Sequence, residues 1–379
     1  MMLPHSTDTT RVVSTNPLIV VSDTRYDGAP CFLYLPVGRA DRVVVDYTQN
    51  IHEVAEWPIW SLPDISPASL DERAFNIEDV PDKGKGMVAR RDIHAGELIW
   101  SERPIYAARR TLTCASDQTD GNGIFYRAAL QRLSAHSKEA FFALASAYPS
   151  SEFDIVPGIL NTNCLEIRTS DAEPDIHHDP VEDSYAGLFP TLSRVNHSCV
   201  PSANYYFAFP AFSGQLWAAR DIGAGEEITI TYTPLAAPRI ERRAFLARTR
   251  FFVCACPACI VPPRQVEASD ARRVGVCVLL EHLQHARFPP CVSQEELERA
   301  LEWTEEEGMV VERAKVLLYG SQVLTVYGEL GIAMDWARRA QDTFRMVEGE
   351  GSYNVRRLID ADRVHGSMLS GPSHRAVYR

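Results

Sequence analysis

The chain has 379 residues, 45% of them hydrophobic and 23% charged, so it is long enough for two or three ordinary globular domains. Its formal net charge of −12 argues against nonspecific nucleic-acid binding, which needs a basic surface to displace counterions. No apolar run approaches ~20 residues, and Met1-Met2-Leu3-Pro4-His5-Ser6 lacks a basic-then-apolar leader pattern, so neither a membrane span nor a secretory signal is expected.

Residues 1–72 read as an N-terminal extension, a small β appendage with a linker. Leu18-Ile19-Val20-Val21 and Val43-Val44-Val45 are β-type runs, and Asp27-Gly28 between them is a turn signal. Three prolines and two tryptophans fall in residues 53–72, which read as loop. From Phe75 the pattern sharpens, and Asp82-Lys83-Gly84-Lys85-Gly86-Met87-Val88-Ala89 is a glycine-bearing turn entering a strand. The phrase Arg91-Asp92-Ile93-His94-Ala95-Gly96-Glu97-Leu98-Ile99 follows and returns as Arg220-Asp221-Ile222-Gly223-Ala224-Gly225-Glu226-Glu227-Ile228. Both copies set Ala-Gly-Glu between β-like runs, which predicts two similarly built sheet corners.

Residues 124–148 take helical spacing through Ala128, Ala129, Leu133, Phe141, Phe142, Leu144 and Ala145, part of a helical insert over about 105–160. Cys164-Leu165-Glu166-Ile167 is β-like again. Residues 171–184 hold six acidic residues and read as an exposed loop; it could attract a basic peptide, though a solvated surface is the commoner case. Beyond Cys259 the pattern is helical over 270–287 and 293–348, with a Ser293-x-x-Glu296 capping box. The runs around Leu317 to Leu324 and Trp336 to Phe344 predict one tetratricopeptide-like hairpin turning near Gly328 and Gly331. A frayed tail is expected beyond Gly366.

The densest stretch runs from Gly187 to Cys259. It carries Asn196-His197-Ser198-Cys199, then Gly225-Glu226-Glu227-Ile228-Thr229-Ile230-Thr231-Tyr232, then Cys254-Ala255-Cys256-Pro257-Ala258-Cys259. Nine cysteines, an odd number, favour reduced thiols or metal ligands over a disulfide framework. Cys254, Cys256 and Cys259 suit three corners of a tetrahedral Zn²⁺ site, with ordinary buried cysteines as the bland alternative. Asn-His in a turn can bind a polar ligand or merely cap the local backbone. Lys83-Gly84-Lys85-Gly86 can bring backbone amides close to a ligand, or be a plain β-turn.

Taken in order, these motifs resemble a SET-domain protein lysine methyltransferase, closest to the SET and MYND subfamily and its fungal relatives, over roughly residues 75–260. The Cys/His-rich module that interrupts the domain in that subfamily has no counterpart, since residues 105–160 hold a single cysteine, Cys114. The resemblance implies an α+β fold: a β-rich SET domain of small sheets over 73–260 with a zinc site at its end, then a helical domain over 261–379 that walls the substrate groove. It implies S-adenosylmethionine as cofactor, held by Lys83, Gly84, Lys85, Gly86, Asn163, Ser193, Val195, Asn196 and His197. It supplies Cys199 as the fourth ligand of a structural zinc with Cys254, Cys256 and Cys259. It makes Tyr232 the catalytic residue and Phe252 an aromatic wall of the lysine channel, with Arg250 where the close subfamily often has a second channel tyrosine.

Methyl transfer from a sulfonium needs an uncharged lysine amine, whose free pKa is ≈ 10.4. An apolar, aromatic-walled channel disfavours the ammonium, and a tyrosine hydroxyl at its inner end can orient the amine. The expected partner is a lysine-containing protein or peptide, histone or not, with no direct nucleic-acid binding, in the cytoplasm or nucleus. The rival readings are a SET-fold pseudoenzyme or peptide-binding module, an enzyme acting on a small molecule, and a zinc scaffold without cofactor.

Overall fold

The computed structural model describes residues 73–109, 130–131, 133–148, 155–168, 185–285 and 292–358, with the backbone of four strands between residues 10 and 47. The Asp27-Gly28 turn, the 53–72 linker, Cys114, Ala128, Ala129, the acidic 171–184 loop and the tail beyond Gly366 lie outside the described residues.

In chain order the strands begin with β1 (Thr10–Arg11), β2 (Val20–Ser22), β3 (Cys31–Tyr34) and β4 (Val44–Tyr47), followed by β5 (Phe75–Val80), β6 (Gly84–Ala89), β7 (Leu98–Glu102) and β8 (Tyr106–Arg109). Helices α1 (Ala135–Phe142) and α2 (Ile155–Asn163) precede β9 (Leu165–Ile167), β10 (Tyr185–Leu188), β11 (Asn196–His197), β12 (Ala203–Ala208), β13 (Ser213–Ala218) and β14 (Glu227–Ile230). Then come α3 (Arg239–Thr249), α4 (Pro263–His285), α5 (Gln294–Glu306), α6 (Val310–Val326) and α7 (Leu330–Glu348). Small sheets followed by helices make the α+β class that the sequence predicts. No described helix is long and apolar enough to cross a membrane.

The chain divides into two compact units, each assembled from separate stretches of sequence. The first comprises residues 1–73, 100–195 and 207–215. Its sheet has the order β1-β2-β3-β4-β8-β10-β9, antiparallel throughout except where β4 runs parallel to β8 with Val44 opposite Tyr106. Tyr106, Leu133, Phe141, Leu144, Val156, Ile159, Leu160 and Leu188 form its core. Helix α2 lies at the end of the helical insert expected over about 105–160, and it contains Pro157-Gly158. Proline is tolerated there in the first turn, where the amide would be unpaired anyway. Gly158 is needed because a Cβ would lie 2.4 Å from Ser146 Oγ.

The second unit comprises residues 74–99, 196–206 and 216–379. Its sheet has the order β11-β14-β6-β5, with β11 parallel to β14 and the other pairs antiparallel. The echoed phrases meet here as two reciprocal corners. Ile93 and Ile222 exchange backbone hydrogen bonds of 2.9 Å in both directions. Asp92 Oδ1 accepts from the Ala224 amide and Asp221 Oδ1 from the Ala95 amide, each at 2.9 Å. Arg91 pairs with Glu97 as Arg220 does with Glu226. Gly96 and Gly225 take nearly equal left-handed φ of +83° and +82°, which a side chain would strain.

The helices of this unit pack on one another through Val276, Leu297, Leu317, Leu324, Trp336 and Phe344. The Trp336 ring fills the space a Cβ on Gly320 would take, 2.6 Å away. The predicted capping box forms: Ser293 Oγ accepts from the Glu296 amide and Glu296 Oε2 from the Ser293 amide, at 3.2 and 2.8 Å. Asn204 donates to the Val347 carbonyl at 2.9 Å, which fixes the end of α7 to a strand residue of the same unit.

Candidate functional site

The parallel pairing of β11 with β14 sets Asn196 opposite Thr229 and His197 opposite Ile230. Two residues further on, the Tyr232 amide donates to His197 Nδ1 at 3.0 Å. Nε2 of the same ring lies 3.3 Å from Cys199 Sγ. Burial pushes the His197 pKa down to about 4, so the ring is neutral. With Nδ1 accepting, the network puts the proton on Nε2, aimed at the sulfur. His197 is therefore a strut between the backbone of Tyr232 and a thiol.

Aromatic rings flank that strut, with centroids at 5.4 Å for Tyr232 and 6.2 Å for Phe252. Phe252 is 36% exposed, so it is not the core phenylalanine that its type alone would suggest. Desolvation pushes the Tyr232 phenol up to about 12, against the pull of the Arg250 charge. The Arg250 guanidinium sits 5.4 Å from the Tyr232 ring centroid. Tyr232 is thus a phenol, never a phenolate, across the physiological range.

Cys199, Cys254, Cys256 and Cys259 are all buried, and their sulfurs lie within 4.8 Å of one another. Four thiolates around zinc at ~2.3 Å would stand ~3.8 Å apart in a tetrahedron. The Cys199–Cys259 separation is 3.7 Å, so the residues fit a closed four-sulfur site. Buried Arg242 donates from Nε to Cys199 Sγ at 3.3 Å. Buried Arg273 reaches the Cys199 carbonyl at 3.3 Å, the Leu235 carbonyl at 2.7 Å and Glu307 Oε2 at 2.8 Å. A guanidinium taken out of water needs negative charge beside it, and a thiolate cluster supplies it at Arg242.

The glycine-bearing loop enters β6 as predicted, with Gly84 at φ +70°. Lys83 pairs with Glu227 Oε2, while Glu227 Oε1 accepts from Asn196 Nδ2 at 2.9 Å. Asn196 Nδ2 also reaches the Lys85 carbonyl at 3.3 Å, and Lys85 Nζ turns to Asp79. A Cβ on Gly86 would stand 2.8 Å from Asn196 Nδ2 and 2.5 Å from Val80 Cγ2.

Of the predicted site residues, Lys83 to Gly86, Asn196, His197, Tyr232, Phe252 and the four cysteines lie in the second unit; Asn163, Ser193 and Val195 lie in the first. There, Asn163 Nδ2 donates to the carbonyls of Ala145 and Ile159, both at 2.7 Å, so its amide finishes α2. Ser193 Oγ donates to the Asn163 carbonyl at 2.8 Å, and the Val195 amide to the Leu192 carbonyl at 3.1 Å. Sequence reasoning missed Glu227, Arg242 and Arg273. Glu227 stands in the quoted motif, but nothing local tells it from Glu226, which pairs with Arg220. The two arginines sit on charged helices and read as surface.

Residues 84–233 match the family model of the SET domain. The chain carries a SET domain. Histone-lysine N-methyltransferase set5 of Schizosaccharomyces pombe is 30% identical over 200 residues, 52% of this chain and 54% of that protein. Histone-lysine N-methyltransferase SMYD3 of Mus musculus is 34% identical over 115 residues, 30% of this chain and 24% of that protein. Protein-lysine N-trimethyltransferase SMYD5 of Danio rerio is 40% identical over 78 residues, 20% of this chain and 19% of that protein. The chain spans about half the length of set5 and a quarter or less of the other two. These matches are those of a SET domain of the SMYD-like and fungal kind. The β6 loop, the His197 strut, Cys199, Glu227 and Tyr232 fall inside the SET domain, while Phe252 and the other three cysteines follow it.

Proposed function

We propose that the chain is an S-adenosylmethionine-dependent protein lysine N-methyltransferase. The observation that carries this reading is the Tyr232–His197–Phe252 corner, a protonated phenol flanked by rings in a SET domain. S-adenosylmethionine, when bound, supplies an electrophilic methyl group and departs as S-adenosylhomocysteine. Lys83 to Gly86 and Asn196 would hold it. His197 serves through its backbone and ring face, because both ring nitrogens are engaged.

The chain's own contribution is alignment and desolvation. The walls of Tyr232 and Phe252 disfavour a charged lysine, so the amine enters uncharged. The Tyr232 hydroxyl orients that amine, and most of the rate comes from holding it in line. Cys199, Cys254, Cys256 and Cys259 would hold one zinc with no open position, so its role is to staple the Phe252 segment, not to react. The substrate is a lysine-containing protein or peptide, histone or non-histone, met in the cytoplasm or nucleus. A pseudoenzyme or small-molecule enzyme is not favoured, because the relatives are named as histone-lysine and protein-lysine methyltransferases.

Transfer of labelled methyl from S-adenosylmethionine to core histones and to a cell lysate tests the reading. Labelled protein-bound lysine with the wild type, and roughly 10²-fold less or lower with Tyr232→Phe, is expected. No labelled lysine in either mixture contradicts it.

A further inference from the structure

We infer that Arg273, held by Glu307, is a positioning residue for the Tyr232–His197 corner, its guanidinium fixing the backbone on both sides of it; this rests on the methyl transfer proposed above. Arg273 stands on α4 and is fully buried. Nη1 donates at 2.7 Å to the carbonyl of Leu235, just past Tyr232. Nη2 donates at 3.3 Å to the carbonyl of Cys199, just past His197. One rigid, planar fork therefore ties together the segments that leave β14 and β11. From Cys199 the tie continues: its sulfur faces His197 Nε2 at 3.3 Å, and His197 Nδ1 accepts from the Tyr232 amide at 3.0 Å. On its far side the fork is held by an acid. Nε donates to Glu307 Oε2 at 2.8 Å and Nη2 also to the Glu307 carbonyl at 3.2 Å. Buried Glu307 caps the end of α5 and accepts from Ser269 Oγ at 2.6 Å and Arg272 Nε at 2.7 Å.

Stability alone is a poor account of this arrangement. Taking an ion pair out of water is costly, and apolar residues of similar volume often serve stability as well or better. What the guanidinium adds is direction at two carbonyls at once, which a lysine ammonium on a flexible stem does not reproduce. Arg242 acts differently, because it meets the Cys199 sulfur and not the backbone. In a reaction driven by alignment, a small displacement of the Tyr232 segment costs rate, not acceptor binding.

The test compares the full-length wild type with Arg273→Lys, which keeps the charge and loses the fork, at a temperature well below both melting midpoints. The acceptor is core histones, or the lysate protein that takes label. A kcat about tenfold lower or more, with the acceptor KM within about twofold, is expected. Trp336→Phe loosens the helix packing away from the fork; it should melt lower and keep the wild-type kcat. Cobalt(II) bound in place of zinc supplies a second readout, since its ligand-field bands report the geometry at the Cys199 sulfur. Those bands should shift in Arg273→Lys and not in Trp336→Phe. Should Arg273→Lys fail to fold, Glu307→Gln, which keeps an acceptor and removes the charge, carries the same expectations. A wild-type kcat in the folded variant, or an equal loss in Trp336→Phe, overturns the inference. A wild type that transfers no methyl contradicts the reaction and not the fork, which the cobalt bands then decide: shifted bands uphold it and unshifted bands overturn it.

Discussion

The Tyr232 backbone amide and the His197 ring are joined by a 3.0 Å hydrogen bond, and the other nitrogen of that ring faces the Cys199 sulfur at 3.3 Å. The bond is made by the amide, not the phenol, so fold and chemistry separate cleanly. Tyr232→Phe keeps the strut: its melting midpoint and S-adenosylhomocysteine binding should match the wild type, while methyl transfer falls by roughly 10²-fold or more. His197→Ala takes the acceptor from the partly buried Tyr232 amide at a cost of about 0.5–1.5 kcal/mol. Its melting midpoint should fall together with donor binding.

Zinc should respond to a residue that does not bind it. Arg242 is buried with its Nε 3.3 Å from Cys199, and removing one partner of a buried charge pair typically costs ~3–5 kcal/mol. Arg242→Met should release zinc faster to a chelator than the wild type, measured with a colorimetric indicator, and melt lower. Cys256→Ser should lose both metal and stability, and stripping the wild type should lower its melting midpoint.

Glu102 carries a testable pH dependence. Its carboxyl is buried, and desolvation raises its pKa above the ordinary range despite amide hydrogen bonds from Thr191 and Leu192 at 2.8 and 2.6 Å. The folded state therefore holds that proton more tightly than the unfolded chain. Its stabilising contribution is complete below the ordinary carboxylate pKa and is lost as pH rises through the folded value. Glu102→Gln is neutral throughout, so its melting midpoint should exceed that of the wild type at pH 8 and converge with it near pH 4.

The paired corners predict matched losses. Asp92 and Asp221 each accept the amide of the opposite turn at 2.9 Å, so Asp92→Ala and Asp221→Ala should each cost about 0.5–1.5 kcal/mol. Thermal melts of the two variants should drop by similar amounts.

Features that repeat or cap locally were legible in the sequence. The two Arg-Asp-Ile phrases predicted the corners, Ser293 and Glu296 the helix start, and the cysteine spacing a close thiol cluster. The bounds of helix α2 were not legible within the helical insert over about 105–160, because Gly158 takes its reason from Ser146 packing against it. Burial of Arg242 and Arg273 was not legible either, since each is decided by partners 43 and 34 positions away. Glu227 has the same difficulty: its identity gives no hint that it faces Lys83, 144 residues earlier. At His197 the sequence leaves a ligand contact and a local backbone cap both open, and only the fold shows that both ring nitrogens are engaged.

The most direct test of the central claim is titration of the zinc-loaded chain with S-adenosylhomocysteine by calorimetry. Saturable binding at micromolar concentration, weakened by about tenfold or more in Asn196→Ala while the variant stays folded, is predicted. Absence of heat up to high micromolar ligand, or unaltered binding in Asn196→Ala, would contradict it.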